Sequence, residues 1–198
     1  MSENLILKRL VSEFSKLPSV GKKTAQRLAY YILSQEKEKA LALAYSIIDA
    51  REKISFCENC FNYTDNELCD LCQNNGRKNG ILCVVESPRE IEIIESTREF
   101  FGRYHVLHGL ISPLKGISPN DIRLRELIAR ITKENIEEVI IALDFSVEAD
   151  ATSLYISRLL KPSGINITRL APGIPAGASL EYADTATLTQ AIKGRISI

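Results

Sequence analysis

Four of the chain's five cysteines fall within sixteen residues, as Cys57-x2-Cys60-x8-Cys69-x2-Cys72. The surrounding stretch, residues 54–80, is polar, rich in Asn and poor in apolar side chains. A piece so small cannot bury a core of its own and folds only if something staples it. Each C-x-x-C pair presents two thiolates to one ion, and two pairs close a tetrahedral S4 site, the arrangement zinc prefers. With all four positions filled by protein, no coordination position is left for water or substrate, so the site is structural. A redox pair and an iron–sulfur cluster are the alternatives. Clustered cysteines in a chain without an export signal point to metal rather than disulfides. The fifth, Cys83, lies within the apolar run ILCVV and reads as a buried core thiol.

On either side of this segment the hydrophobic pattern differs. Residues 1–53 repeat apolar side chains at helical spacing: Leu7, Leu10, Val11, Phe14 and Leu17, then Ala25, Leu28, Ala29 and Ile32, then Leu41, Ala44 and Ile48. From residue 81 short apolar runs alternate with amphipathic stretches. Strands are expected at 81–87, 103–109, 138–145 and 165–172, and helices at 88–97, 121–135 and 151–164. Such alternation implies right-handed βαβ units and a mostly parallel sheet. Asn120 or Asp121 is the expected cap of the second of these helices. The tail opens with Pro and Gly and closes with one helix, with room for a strand after it. No run approaches the ~18–20 apolar residues that span a bilayer, and the start of the chain lacks the features of a signal peptide. A cytoplasmic protein without a membrane partner is expected.

Net charge is zero, with 25 basic and 25 acidic residues, which at first argues against nucleic acid. The distribution is uneven. Residues 1–27 hold six basic and two acidic side chains, whereas residues from 81 onward hold 13 and 15. Within the basic end lies LPSVGKKTAQRLA, residues 17–29. Pro18 stops one helix, Gly21 permits a tight hairpin, and a second helix starts at about Lys22–Thr24. Free N–H groups at that start suit a phosphate oxygen, with Lys22, Lys23 and Arg27 adding charge. The stretch resembles the helix-hairpin-helix motif that grips DNA backbone without reading sequence, although Ser19 stands where that motif carries a glycine. A plain helical packing unit is the competing reading.

Carboxylates gather where an open α/β sheet places its chemistry, beyond the carboxyl ends of the strands. Glu86 follows the first strand and Asp144 the third, with Glu148 and Asp150 close behind. Several carboxylates at one sheet edge could hold Mg²⁺ for phosphoryl transfer. The arrangement resembles a Toprim domain, whose catalytic members carry a glutamate after the first strand and D-x-D-x-E after the third. Glu86, Asp144 and Glu148 match, but Ser146 replaces the second aspartate. His105 and His108 have no nucleophile beside them and read as packing or surface residues.

A hairpin near residue 20, a four-cysteine finger and a Toprim-like region follow one another in that order. With the phrases YHVLHGLISPLKGISP, LYISRLLKPSGINITRLAPGIP and LEYADTATL, they resemble the bacterial RecR family over essentially the whole chain. The resemblance implies an α/β protein of four parts: a helix-hairpin-helix region at 1–53, a C4 zinc finger at 54–79, a Toprim domain at 80–175 and a C-terminal helical or strand tail at 176–198. It implies a non-enzymatic mediator of DNA repair that acts with RecO and RecF to load RecA at single-stranded gaps. Members assemble as dimers or tetramers in rings wide enough for duplex DNA. Lys23 and Arg27, with Lys22 secondary, become the DNA contacts. One structural Zn²⁺ falls to Cys57, Cys60, Cys69 and Cys72. Glu86, Asp144, Glu148 and Asp150 become a partner surface or an occasional cation site. The rival reading is a metal-dependent Toprim nuclease, and Ser146 is the residue that separates the two.

Overall fold

The computed structural model describes residues 4–174 and 177–195. The chain divides into two units, the first ending at Ile54 and the second beginning at Ser55.

The first unit is helical. Helix α1 (Leu5–Ser15) is capped by Asn4, whose side chain accepts from the Ile6 and Leu7 N–H groups, each at 3.1 Å. Helices α2 (Lys22–Ser34) and α3 (Lys37–Lys53) follow. The half-buried side chains of α1 are Leu7, Leu10, Val11, Phe14 and Ser15, so four of the five expected apolar positions turn inward. Leu17, the fifth, is exposed. On α2, Ala25 and Ala29 are fully buried and Leu28 and Ile32 half-buried. Small residues at the contact let α1 and α2 approach closely, consistent with the packing of this pair. Helix α3 departs from expectation: Leu41 and Ile48 are exposed, as are Leu43, Tyr45 and Ile47. Its apolar residues are spread around the helix, so no single face could bury them all.

The turn between α1 and α2 reverses the expected roles of its small residues. Gly21 has φ −76° and ψ 167°, ordinary extended backbone, and a Cβ added there would meet nothing within 4 Å. The left-handed position belongs to Ser19, at φ 63°. The chain turns on Ser19, and Gly21 serves as the N-cap of α2.

The second unit begins with a hairpin, β1 (Ser55–Phe56) paired antiparallel with β2 (Tyr63–Thr64), and a single turn of helix, α4 (Asp70–Gln73). Then come β3 (Ile81–Val85), α5 (Pro88–Ser96), β4 (Arg103–Val106), α6 (Leu124–Lys133), β5 (Glu138–Ala142), α7 (Val147–Leu160), β6 (Asn166–Arg169) and α8 (Thr185–Lys193). The four long strands form one parallel sheet in the order β4-β3-β5-β6. Because successive side chains of a strand point to opposite faces, β3 feeds two cores. Leu82 and Val84 join Leu127, Ile131, Val139, Ile141 and Ile156, while Cys83 and Val85 join Ile91, Tyr104, Val106 and Ala142.

Two helix starts are displaced from those expected. Helix α6 begins at Leu124 because the side chain of Asp121 is used in a turn, accepting from the Ser118 N–H at 2.8 Å and hydroxyl at 2.6 Å. Helix α7 begins four residues early because Ser146 caps it, accepting from the Ala149 N–H at 3.2 Å. The expected boundary at 175/176 and a strand after α8, which would involve residues 196–198, lie outside the described residues.

His105, on β4, is completely buried. Its Nε2 lies 2.7 Å from the Arg123 carbonyl, to which it donates, and its Nδ1 has no partner. Burial pulls its pKa down from 6.5 to about 4, the Arg123 carbonyl opposing and Arg130 reinforcing the shift. The unfolded chain therefore takes up the proton first as pH falls. Stability should decline from about pH 6.5 towards pH 4, by at most about 1.4 kcal/mol per pH unit for this one site. His105→Gln keeps a donor where Nε2 stands and cannot titrate. Denaturant unfolding across that window should show wild type losing stability relative to the variant, and parallel curves would refute the assignment.

A non-glycine residue in the left-handed region costs ~1–2 kcal/mol. Ser19→Gly should stabilise the first unit by up to about 1 kcal/mol, the gain being offset by added freedom in the unfolded chain. Gly21→Ala should be neutral within about 0.5 kcal/mol, since open space and compatible dihedrals balance a poorer cap. Thermal unfolding of both variants checks the pair, and a stability loss confined to Gly21→Ala would contradict this turn geometry.

Candidate metal centre and nucleic-acid interface

The Sγ atoms of Cys57, Cys60, Cys69 and Cys72 all lie within 4.8 Å of one another. Cys57 and Cys60 belong to the knuckle after β1, and Cys69 and Cys72 to the one that runs into α4. With Zn–S bonds of about 2.3 Å, a tetrahedral site sets its sulfurs roughly 3.8 Å apart, so the cluster matches the ion. Three of the four cysteines are buried. Backbone N–H groups already aim at the sulfurs, from Cys69 to Cys57 Sγ and from Asn62 to Cys60 Sγ, both at 3.4 Å. Thiols packed this closely share protons unequally. Hydrogen bonds from Cys60, then Cys69 and Cys72, hold Cys57 far below the ordinary thiol range, and the same contacts, led by Cys57, push Cys60 far above it. Cys57, Cys60, Cys69 and Cys72 would all be thiolates on a divalent cation, which would remove that conflict. The donor set and its burial fit a structural zinc ion.

The finger is held to the sheet by groups that sequence reading did not single out. The Arg103 guanidinium on β4 donates to the carbonyls of Leu71 and Cys72, at 2.9 and 2.7 Å, and its Nε donates to Asn79 Oδ1 at 3.0 Å. Arg130, on the apolar side of α6, donates to the Asn59 carbonyl at 3.3 Å and, in a short contact, to that of Tyr104. Arg77, beyond the last of the four cysteines, makes a bidentate pair with Glu95 at 3.0 and 2.6 Å and donates to the Gly102 carbonyl at 2.7 Å. Burial pushes the Glu95 carboxyl up, but hydrogen bonds from Arg77 and Tyr104 outweigh it and hold the group below its usual range. His108 Nε2 completes the attachment, 2.7 Å from the Phe61 carbonyl. Both histidines therefore pack, as their surroundings in the sequence imply. The signal for the arginines was an Arg opening a buried strand and another three residues after Leu127 on a helix of strong amphipathicity.

In the first unit, Lys22, Lys23 and Arg27 are exposed on α2. Helix α2 contains no acidic residue, and among the described residues none of the three cations forms an ion pair. Gly21 offers no side chain to the N–H groups of the first turn, which stay open to a ligand. Lys23 and Arg27 are one turn apart on the side opposite Ala25 and Ala29.

The carboxylates lie at the carboxyl ends of the strands, as expected, but do not converge into a cage. Among the described residues the four cysteines are the one group of three or more candidate ligands within such range. Asp150 Oδ1 accepts from Arg169 at 2.6 Å, Glu148 is 4.0 Å from Lys115, and Arg169 also donates to the Asp144 carbonyl at 3.2 Å. Burial, then the charges of Glu90 and Asp144, push the Glu86 carboxyl up.

Removing zinc with a strong chelator, or substituting Cys60→Ser or Cys69→Ser, should unfold the finger and expose the face of β4 that it covers. One bound zinc per chain by elemental analysis and loss of solubility in the variants are the expected results. Unchanged solubility and unfolding midpoint in a metal-free double variant would rule out a structural ion.

Comparison with known proteins places each of these parts. Family models match residues 7–51 (RecR, helix-hairpin-helix), 54–74 (RecR, four-cysteine zinc finger domain), 80–171 (Toprim domain) and 173–196 (RecR, C-terminal). Two proteins named Recombination protein RecR, from Heliobacterium modesticaldum and Syntrophotalea carbinolica, are each 46% identical over 187 residues, covering 94% of this chain and 94% of their own length. Carrying all of these segments in order and this identity along nearly its full length, the chain belongs to the RecR family of recombination proteins.

Proposed function

We propose that the protein is a non-catalytic DNA-binding mediator of recombinational repair, acting with RecO and RecF to load RecA at single-stranded gaps in the cytoplasm. The observation that carries the DNA reading is α2: Lys23 and Arg27 stand unpaired on a helix without acidic residues, beside a first turn whose N–H groups have no side-chain cap. Lys22 contributes from the first turn. Cations and free N–H groups of this kind hold phosphates and carry no sequence information. Two or three such contacts bind weakly, so useful affinity requires several copies acting on one DNA. The exposed apolar residues of α3 supply surface for assembly into a dimer or tetramer, a ring or clamp in this reading. The finger and the four carboxylates belong to the second unit. There Glu86, Asp144, Glu148 and Asp150 serve as a surface for partner proteins.

Two sets of variants test this. Lys23→Glu with Arg27→Glu should abolish retention of DNA at moderate salt while zinc content and oligomer mass stay unchanged, and wild-type binding should weaken steeply with salt. Wild-type affinity and salt slope in the double variant would remove α2 from the DNA path. Glu86→Ala and Asp144→Ala should leave DNA binding near normal. Nicking of supercoiled plasmid in Mg²⁺ or Mn²⁺ that vanishes in either variant would establish the nuclease instead.

A further inference from the structure

Helix α2 exposes two features that phosphate contact does not use. Tyr30 and Tyr31 are 55% and 60% exposed, and among the described residues neither hydroxyl has a hydrogen-bond partner. They follow Arg27 by three and four positions, which on a helix places both rings one turn beyond it, about 5–6 Å away at Cβ. With 3.6 residues per turn, Lys23, Arg27, Tyr30 and Ser34 fall within a sector of about 60°, opposite the buried Ala25 and Ala29. Tyr31 flanks that stripe. An open groove of about 820 Å³ runs along it, lined by Lys23, Arg27, Tyr30, Tyr31 and Ser34 among others. Two cations, then two aromatic rings, thus follow one another at one-turn intervals on a face free of negative charge.

We infer that this stripe is a single-strand site, in which Lys23 and Arg27 hold consecutive phosphates while Tyr30 and Tyr31 stack on unpaired bases. The inference rests on the proposed role of α2 in DNA binding and adds which form of DNA the face selects. The physical reason lies in the bases. A duplex offers its phosphates but keeps the flat faces of its bases stacked on one another, so the rings would gain nothing from it. An unpaired base offers both a phosphate and a π-face, and stacking of this kind tolerates any sequence. Positive charge on the same stripe favours a polyanion over a second copy of this basic helix, which would bring like charges together.

The chain contains no tryptophan, so Tyr31→Trp places one selectively excitable tryptophan per chain at the site. Its fluorescence should be quenched by a short oligothymidylate and not by a duplex of equal length at the same salt. Tyr30→Ala with Tyr31→Ala should weaken oligothymidylate binding at least about fivefold, leave duplex binding within twofold, and leave the helical signal and oligomer mass unchanged. Tyr30→Phe with Tyr31→Phe should bind as wild type does, since the rings remain. Equal loss for both DNA forms, no loss, or loss in the Phe variant would overturn stacking. A change of oligomer mass in the Ala variant would assign the rings to a contact between copies and overturn it too. The failures are separable: if Lys23→Glu with Arg27→Glu binds both DNA forms normally, the DNA reading of α2 falls. If that variant loses binding while the Ala variant does not, only the present inference falls.

Discussion

The second unit depends on buried guanidinium groups that join two pieces of chain neither of which is complete alone. The finger presents carbonyls of Asn59, Leu71 and Cys72 to the sheet, and Arg103 and Arg130 reach out from β4 and α6 to satisfy them. An unpaired buried carbonyl costs free energy comparable to a lost hydrogen bond, and a buried charge without acceptors costs more. Each side therefore supplies what the other lacks. The Val106 N–H donates to the Cys60 carbonyl at 2.9 Å, so the edge strand β4 is tied to the metal knuckle itself. A zinc ion held by Cys57, Cys60, Cys69 and Cys72 would fix the finger, whose carbonyls the arginines join to the sheet. Phe61 and Leu71 pack against the core built on Cys83 and Val85, which adds apolar burial to the same joint.

The first unit solves a different problem with fewer means. A helix that exposes cations on one face needs its other face held firmly, and α2 achieves this with alanines. Ala25 and Ala29 bring α1 close without long side chains, leaving the opposite face to Lys23 and Arg27. The turn that leads into α2 stores some strain at Ser19. Gly21, placed at the cap, keeps the first-turn N–H groups unobstructed. The small residue that reads as conformational in the sequence has ordinary extended backbone, and what it contributes is the lack of a capping side chain.

Much of this is legible in the amino-acid sequence, and the reasons differ by element. The cysteine spacing specifies its site because metal geometry tolerates few arrangements. The parallel sheet follows from short apolar runs, since a strand buried on both faces, such as Ile81–Val85, has little other use for ILCVV. Helix starts are less legible, because Asn120, Asp121 and Ser146 are all competent caps. Only the local turn decides which one is used, and Asp121 closes the Ser118 turn instead. The face of α3 cannot be read, because apolar residues on every side give no single direction. The docking arginines are hard to read for a related reason: composition marks Arg as a surface residue, and their burial is explained by their partners, backbone carbonyls for both together with Asn79 for Arg103 and the Glu134 carboxylate for Arg130.

Ser146 shows how one position changes what a sheet edge can do. An aspartate there would add a carboxylate beside Asp144 and Glu148, where negative charges accumulate and a divalent cation would relieve them. Serine adds no charge: its oxygen accepts from the Ala149 N–H and caps α7, with Glu148 and Asp150 in the first turn of that helix. There they meet the positive end of the helix dipole, and each finds a protein cation nearby, Lys115 for Glu148 and Arg169 for Asp150. Arg169 reaches further, stacking over Phe145 at 4.7 Å and donating to the Asp144 carbonyl. Glu148 and Asp150 are thus each met by a side-chain cation, while burial and the charges of Glu90 and Asp144 still push the Glu86 carboxyl up.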